Sequence, residues 1–514
     1  MMTTILLTAP VAVPVLAGCG YAAFGWRRGT AWLAPAAAAG VLAAALCLAV
    51  LAADRPRTGL GGLLRADALT ALMLLVIGAV ALLAMLASPS YLAAERAAGH
   101  ATPADTRRYG LLTQGFIASM ALAVLASSLG VLWVAVEATT IVTAFLVGHR
   151  RTRNAVEAAW KYVVICSAGI ALALLGIVLL HFAARHAHVP SSGALDWARL
   201  TAHAASLDPD VTRIAVALLI LGFGAKAGLA PLHAWLPDAH GQAPAPVSAL
   251  MSGVLLSVAL YAVLRVKVIA DVALGTGFAR TLLLILALAS VAVAAALLLA
   301  QRDLKRMLAY SSIEHMGLLA LGTAIGTRLA MAAVLLHILG HGLAKAVSFL
   351  AAGRVQQSLG TSRIDAVRAL GGRAPVLSFF LGAGLLALLG FPPFTLFATE
   401  VAMVRAGFAT GLGWAVTAAL VLTLVVMAAV SARMAGMLLG SRPDAPGAAA
   451  LPATGPAAPG PATPRPATTG LRPPRLLTAA MGAGLAACAF IGVTAWPLRP
   501  LLDAATEIVT GVSG

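Results

Sequence analysis

Apolar runs of about twenty residues recur along nearly the whole chain, separated by short polar stretches, and each is long enough to cross ~30 Å of hydrocarbon as a helix. The pattern predicts fourteen spans: 3–24, 31–52, 67–87, 109–128, 131–148, 160–181, 211–231, 246–265, 280–300, 307–326, 329–352, 376–408, 412–439 and 475–496. The region 376–408 contains Pro392 and Pro393 and must break there. Polar and apolar residues do not alternate over about ten residues as in a membrane barrel. The expected fold class is therefore an all-α polytopic membrane protein of about 14 transmembrane helices, with no strand. Residues 182–210 read as a polar outer loop and 441–474, rich in Pro, Ala and Gly, as a flexible linker before the last span. The tail after Trp496 is short and reads as interfacial.

Composition agrees with this reading. Of 514 residues, 61% are apolar and 10% charged, against roughly 25% charged in soluble chains. The first apolar run begins at Thr3 with no basic residue before it, so it reads as an uncleaved span rather than a secretory signal. Cys19, Cys47, Cys166 and Cys488 are scattered through apolar spans with no Cys-x-x-Cys, which gives no iron–sulfur or zinc framework and no disulfide. No cofactor is expected in this chain. Redox groups, if any serve it, belong to other subunits.

The net charge of +17 would suit a nucleic-acid binder, but the basic residues cluster in short loops between spans. Loops after odd-numbered spans hold 21 of the 35 basic residues and the opposite side holds 12. The positive-inside bias places the odd loops in the cytoplasm of a cell (inner, cytoplasmic) membrane, with both termini outside.

Only five of the basic residues are lysines, and two of these, Lys226 and Lys345, lie inside long apolar stretches in which no arginine is read. A buried lysine can give up its proton, whereas an arginine cannot. Lysine retained where charge is costly suggests proton traffic.

Four further features point the same way. The seventh span ends in Gly-Phe-Gly-Ala-Lys-Ala-Gly-Leu-Ala-Pro (222–231), and the twelfth contains Gly-Phe-Pro-Pro-Phe-Thr-Leu-Phe-Ala-Thr-Glu (390–400). Both are apolar helices interrupted by Gly and Pro beside an ionisable residue, a pointer to an ion site near the midplane. Glu137 lies in mid-span, where an acid costs about 2.5–3.5 kcal/mol, and needs a partner. Lys226 is the natural candidate, either in a static ion pair or in a proton-handling one. His337, His341 and Lys345 stand at i, i+4 and i+8 and so share one helix face, as a proton relay requires. Glu400 follows the Pro-Pro break, either as the end of a path or as an interfacial carboxylate.

Accessory candidates are His315 beside Glu314, read evenly as relay or packing, and His233, Asp238 and His240, which read as loop residues or an access gate. No metal is read along the eleventh span, because the zincin pattern needs Glu directly after the first His and Ile338 stands there. Gly222-Phe-Gly-Ala-Lys-Ala is not a phosphate loop, and no nucleophile–base constellation is present.

These residues carry a resemblance. Lys-Ala-Gly-Leu-Ala-Pro-Leu-His-Ala-Trp-Leu-Pro-Asp-Ala-His (226–240), Leu304-Lys-Arg-Met-Leu-Ala-Tyr-Ser-Ser-Ile-Glu-His-Met-Gly and His337-x-x-x-His341-x-x-x-Lys345 are similar to the signature of the antiporter-like membrane subunits of respiratory complex I, group 4 hydrogenases and Mrp antiporters. The similarity runs from about 109 to 440. Trp133–Thr140 with Ala159-Trp-Lys-Tyr looks most like the component F type of hydrogenase-4.

The resemblance implies two inverted five-helix repeats broken at helices 7 and 12. The organisation would be a three-helix segment (1–108), a first repeat (109–265), a second repeat (280–440), the linker (441–474) and a last helix with its tail (475–514). It also implies roles: Glu137 and Lys226 as the key pair, Lys345 with the two histidines as the central link, and Glu400 as the terminal residue. Ser257 stands where many members carry a lysine, and a hydroxyl does not bind a proton at neutral pH. The family's long lateral helix is not seen after span fourteen.

The function implied is proton translocation in a redox-driven complex of the membrane-bound hydrogenase or NADH:quinone oxidoreductase kind. The partners would be other membrane subunits and a peripheral redox arm carrying iron–sulfur, NiFe or flavin groups, and the transported ion protons or sodium. The alternatives are a subunit of a Mrp-like cation/proton antiporter or ion-coupled carbon uptake system without redox coupling, and a scaffold that conducts nothing.

Overall fold

In a computed structural model the described residues are 2–189, 193–440 and 472–511. The chain opens with α1 (Met2–Phe24), α2 (Leu33–Asp54), α3 (Ala68–Ala97), α4 (Pro103–Leu125), α5 (Leu129–Val147) and α6 (Arg153–His186). A short surface helix α7 (Trp197–Ala202) precedes α8 (Pro209–Lys226), α9 (Trp235–Gln242), α10 (Ala245–Leu250) and α11 (Leu256–Leu274). Then come α12 (Thr276–Leu298), α13 (Leu304–Ile325), α14 (Arg328–Leu359), the four-residue α15 (Leu370–Arg373), α16 (Pro375–Leu388), α17 (Thr395–Ala409) and α18 (Gly413–Leu439). The last helices are α19 (Arg475–Val493) and α20 (Arg499–Thr510).

Local signals start and stop these helices. Thr102 and Asp105 form a reciprocal capping box at α4. Asp208 caps α8, with Pro209 in its first turn. Gly360, at φ +70°, ends α14.

Among the described residues, eleven helices are long and apolar enough to cross a membrane by length and composition. The other three expected spans are helical too, with different proportions. α8 has only 18 residues before its break, α13 carries Lys305, Arg306, Glu314 and His315, and the 376–408 span is split into α16 and α17. The expectation that no strand occurs is corrected. Arg57–Gly59 and Leu64–Ala66 pair as a small antiparallel hairpin between α2 and α3. Its turn uses Gly61 and Gly62 at positive φ, and three-residue strands leave too short a periodicity to read.

The linker expected at 441–474 lies outside the described residues except for its last three. The tail after Trp496 forms α20, which buries Leu501, Leu502, Ala505 and Val509 and packs against α3 and α14.

The core is built around α14, whose apolar middle stretch is almost wholly buried, with α3 and the α10–α11 unit beside it. A π-helical stretch, Met251–Leu255, joins α10 to α11. There Gly253 meets Gly342 of α14 so closely that a Cβ on Gly253 would lie 3.0 Å from the Gly342 carbonyl oxygen. Small residues also let α6 and α8 touch, with Gly169 and Ala173 against Gly222 and Ala225. Outward-facing side chains such as Ile141, Phe145, Val164 and Phe182 are apolar and exposed, as a lipid-facing surface requires.

The two interrupted spans set the site. α8 stops at Lys226, the chain turns through Gly228 at φ +79°, and α9 resumes at Trp235. α16 stops at Leu388, Gly390 takes φ +66°, and α17 resumes at Thr395.

Candidate functional site

Lys226 occupies the last turn of α8, where the negative end of the helix dipole favours a cation. It is fully buried. Its Nζ donates to Thr140 Oγ1 at 2.8 Å and to Tyr162 OH at 2.6 Å, and lies 4.7 Å from the centre of the Tyr162 ring. Thr140 in turn donates to Glu137 Oε2 at 3.1 Å, and Ser167 donates to Glu137 Oε1 at 3.1 Å. Glu137 and Lys226 thus belong to one hydrogen-bonded group drawn from α5, α6 and α8. They form no direct ion pair within 4.0 Å; the Thr140 hydroxyl stands between them.

The second group lies between α13, α14 and α17. Lys345, fully buried, donates to the Leu308 carbonyl at 2.7 Å and makes a short bond to Ser311 Oγ. His315, one turn beyond Ser311, faces both histidines of α14. Its ring centre is 5.3 Å from that of His337 and 5.0 Å from that of His341. His315 Nδ1 lies 3.2 Å from His337 Nε2, and His337 Nδ1 bonds Thr399 Oγ1 at 2.8 Å. Glu400 follows Thr399, and donor atoms of His315, His337 and Glu400 all lie within 4.8 Å of one another. This three-helix group has the chemistry to hold a metal ion, and a motif search along one helix cannot see it. Both ring nitrogens of His341 are buried and have no hydrogen-bond partner among the described residues.

The accessory candidates separate. His315 joins the α14 histidines. His240 is buried, stacks on Phe349 with ring centres 5.2 Å apart, and has Lys305 and Lys345 as its charged neighbours. His233 sits half-buried in the α8–α9 break, away from both groups of hydrogen bonds. Asp238 is ion-paired to Lys161 at 3.1 Å and to Arg306 at 3.0 Å. Ser257 is buried on α11 with no partner for its hydroxyl among the described residues. Because α11 packs on α8 and the π stretch before it packs on α14, Ser257 belongs to the unit that touches both lysine-bearing helices.

Three further charges are buried. Lys305, in the first turn of α13, and Lys267, in the second half of α11, are buried. Lys305 donates to the carbonyls of Gly241 and Ala243 at the C-terminal end of α9, where helix carbonyls lack partners within the helix. Lys267 pairs with Asp271. Arg265 is buried inside α11, so an arginine does occur in an apolar stretch. It donates to Asp67 at 2.7 Å, donates to Thr70 at 3.1 Å, and stacks over Trp197.

Two polar cavities open near α9. One, of about 310 Å³, is lined by Asn154, Glu157, Lys161, Asp238, Gln242 and Arg306. The other, of about 100 Å³, shares Gly241, Gln242 and Arg306 with it and reaches Lys305.

A helical, polytopic membrane protein with two broken helices and an ionisable side chain at each break, Lys226 buried and Glu400 partly buried, is the class this geometry defines. The family model described as NADH:quinone oxidoreductase/Mrp antiporter, TM matches residues 126–426, and the chain belongs to that family. A hydrogenase-4 component F homolog of Methylacidiphilum infernorum (isolate V4) is 39% identical over 349 residues, 68% of this chain and 73% of that one. Hydrogenase-4 component B of Escherichia coli (strain K12) is 32% identical over 66% of this chain and 50% of its own length. Among curated relatives such as the latter, the match spans about half the length. In structure the chain resembles a chain of the archaeal membrane-bound sulfane sulfur reductase (TM-score 0.82, 24% identity, covering 99% of this chain and 98% of that one). It resembles one of the Mrp complex from Dietzia sp. DQ12-45-1b equally well (TM-score 0.82, 23% identity, 99% and 98%).

Proposed function

We propose that this chain is a proton-translocating membrane subunit of a redox-driven complex of the hydrogenase or NADH:quinone oxidoreductase kind. The observation that carries the reading is that Lys226 and Lys345 are both fully buried and held by hydroxyl and carbonyl oxygens rather than by a carboxylate. A lysine salt-bridged in low dielectric is pinned in its charged form. A lysine held only by neutral acceptors changes charge when its hydration or a neighbouring charge changes. The names of the relatives, hydrogenase-4 components F and B and an NADH-quinone oxidoreductase subunit N, support the redox setting.

Protons enter from the cytoplasm through the cavity beside Lys161 and Asp238. Tyr162, which follows Lys161, touches Lys226. Glu137 sets the charge felt by Lys226 through Thr140. The path continues by way of Lys345, His341 and His337 and leaves near Glu400. Loop charge supports odd loops in the cytoplasm and both termini outside. Partner membrane subunits and a peripheral arm supply the redox groups.

The test is redox-driven proton uptake by inverted membrane vesicles. Lys226→Ala abolishes uptake while the complex still assembles; normal uptake in that variant refutes the reading.

A further inference from the structure

We propose that His315, His337 and Glu400 form a binding site for a late first-row divalent transition ion, zinc above all, and that the bound ion closes the proton path. The closure rests on the function proposed above; the binding rests on geometry alone.

The three side chains come from α13, α14 and α17, and their donor atoms lie within 4.8 Å of one another. His337 Nε2 and His315 Nδ1 are 3.2 Å apart. Zinc–nitrogen bonds of about 2.0–2.1 Å at a tetrahedral angle place two ligand nitrogens ~3.3 Å apart, so the imidazoles already stand at the edge length of a zinc tetrahedron. Glu400 supplies the third donor, and a fourth position stays open, as in zinc sites with three protein ligands. Imidazole and carboxylate together favour zinc, copper or nickel over magnesium or sodium.

The hydrogen-bond network prepares the lone pair of His337. Thr399 Oγ1 sends its own hydrogen to the Leu396 carbonyl at 2.9 Å or the Thr395 carbonyl at 3.2 Å. The 2.8 Å bond to His337 Nδ1 is therefore donated by the imidazole. That tautomer, assigned from the network, leaves a lone pair on Nε2, the atom that faces His315. Bonds of this outer kind orient metal-binding histidines and raise their basicity. With no ion bound, His315 Nδ1–H donates the 3.2 Å bond to that lone pair; to take the ion, the ring proton shifts to His315 Nε2, which is buried without a hydrogen-bond partner among the described residues, and Nδ1 turns its lone pair to the ion. Glu314 is a second carboxylate in the same field, and Lys345 the opposing cation. An ion that holds these lone pairs leaves neither imidazole free to pass a proton.

The test is a zinc titration of the purified full-length chain, stripped first with a chelator and read against a chromophoric zinc indicator. The wild type binds about one zinc per chain, and cobalt in its place gives the absorption of a tetrahedral site. His315→Ala and Glu400→Gln lose this binding. Thr399→Val, which keeps all three ligands, weakens it roughly tenfold. A wild type that takes up no stoichiometric zinc, or a His315→Ala variant that binds it undiminished, overturns the site. Zinc that binds but leaves proton uptake of the wild type unchanged overturns the closure. A wild type that moves no protons even without zinc overturns the transport reading, while the titration still decides the site.

Discussion

Glu137 and Lys226 do not touch: the Thr140 hydroxyl accepts from Lys226 Nζ at 2.8 Å and donates to Glu137 Oε2 at 3.1 Å. A carboxylate one hydroxyl away influences the lysine without locking it in an ion pair. Thr140→Val keeps the shape and removes the link, leaving a buried ammonium one partner short at a cost of about 1–3 kcal/mol. Proton uptake in that variant falls several-fold, and Thr140→Ser restores it. Initial rates in vesicles, normalised to assembled complex, check both.

Glu400 folds back onto the α16–α17 break. A Cβ at Gly390, which holds φ +66°, would lie 2.5 Å from Glu400 Oε2. Gly390→Ala therefore strains the backbone by about 1–3 kcal/mol and displaces the carboxylate. Its expected signature is a modest loss of thermal stability with a larger loss of proton uptake. Gly360→Ala, at φ +70° with nothing near its Cβ, pays only in stability.

The buried pair Arg265–Asp67 joins α11 to the start of α3. Removing one partner strands the other charge in low dielectric, at about 3–5 kcal/mol. Asp67→Ala is expected to reduce the yield and melting temperature of the complex sharply. The double change Asp67→Leu with Arg265→Met recovers most of that loss. Thermal unfolding of the three proteins in one detergent decides it.

Much of this was legible in sequence because it is local. Helix breaks carry their own Gly and Pro signals at 228–231 and 390–393, and His337, His341 and Lys345 share a face by spacing alone. What was missed depends on contacts between helices. Thr140 and Tyr162 look like ordinary residues of apolar spans until α8 brings Lys226 between them. Lys305 reads as a loop charge, since Arg302 and Arg306 flank it; only the end of α9 arriving over it makes it a buried cap. Asp67 and Arg265 are 198 residues apart, and no periodicity links them. His315 stood out in sequence only through its neighbour Glu314 and the signature around it, and its place between His337 and His341 is set by the packing of α13 on α14.

On the proposed proton path Lys226 works by losing and regaining a proton. Arginine keeps the charge and much of the reach but does not deprotonate in a protein. The most direct measurement is redox-driven proton uptake in vesicles carrying Lys226→Arg, with assembly of the complex verified in the same preparation. The expected result is an assembled complex without uptake; uptake at the wild-type rate would rule out proton exchange at Lys226.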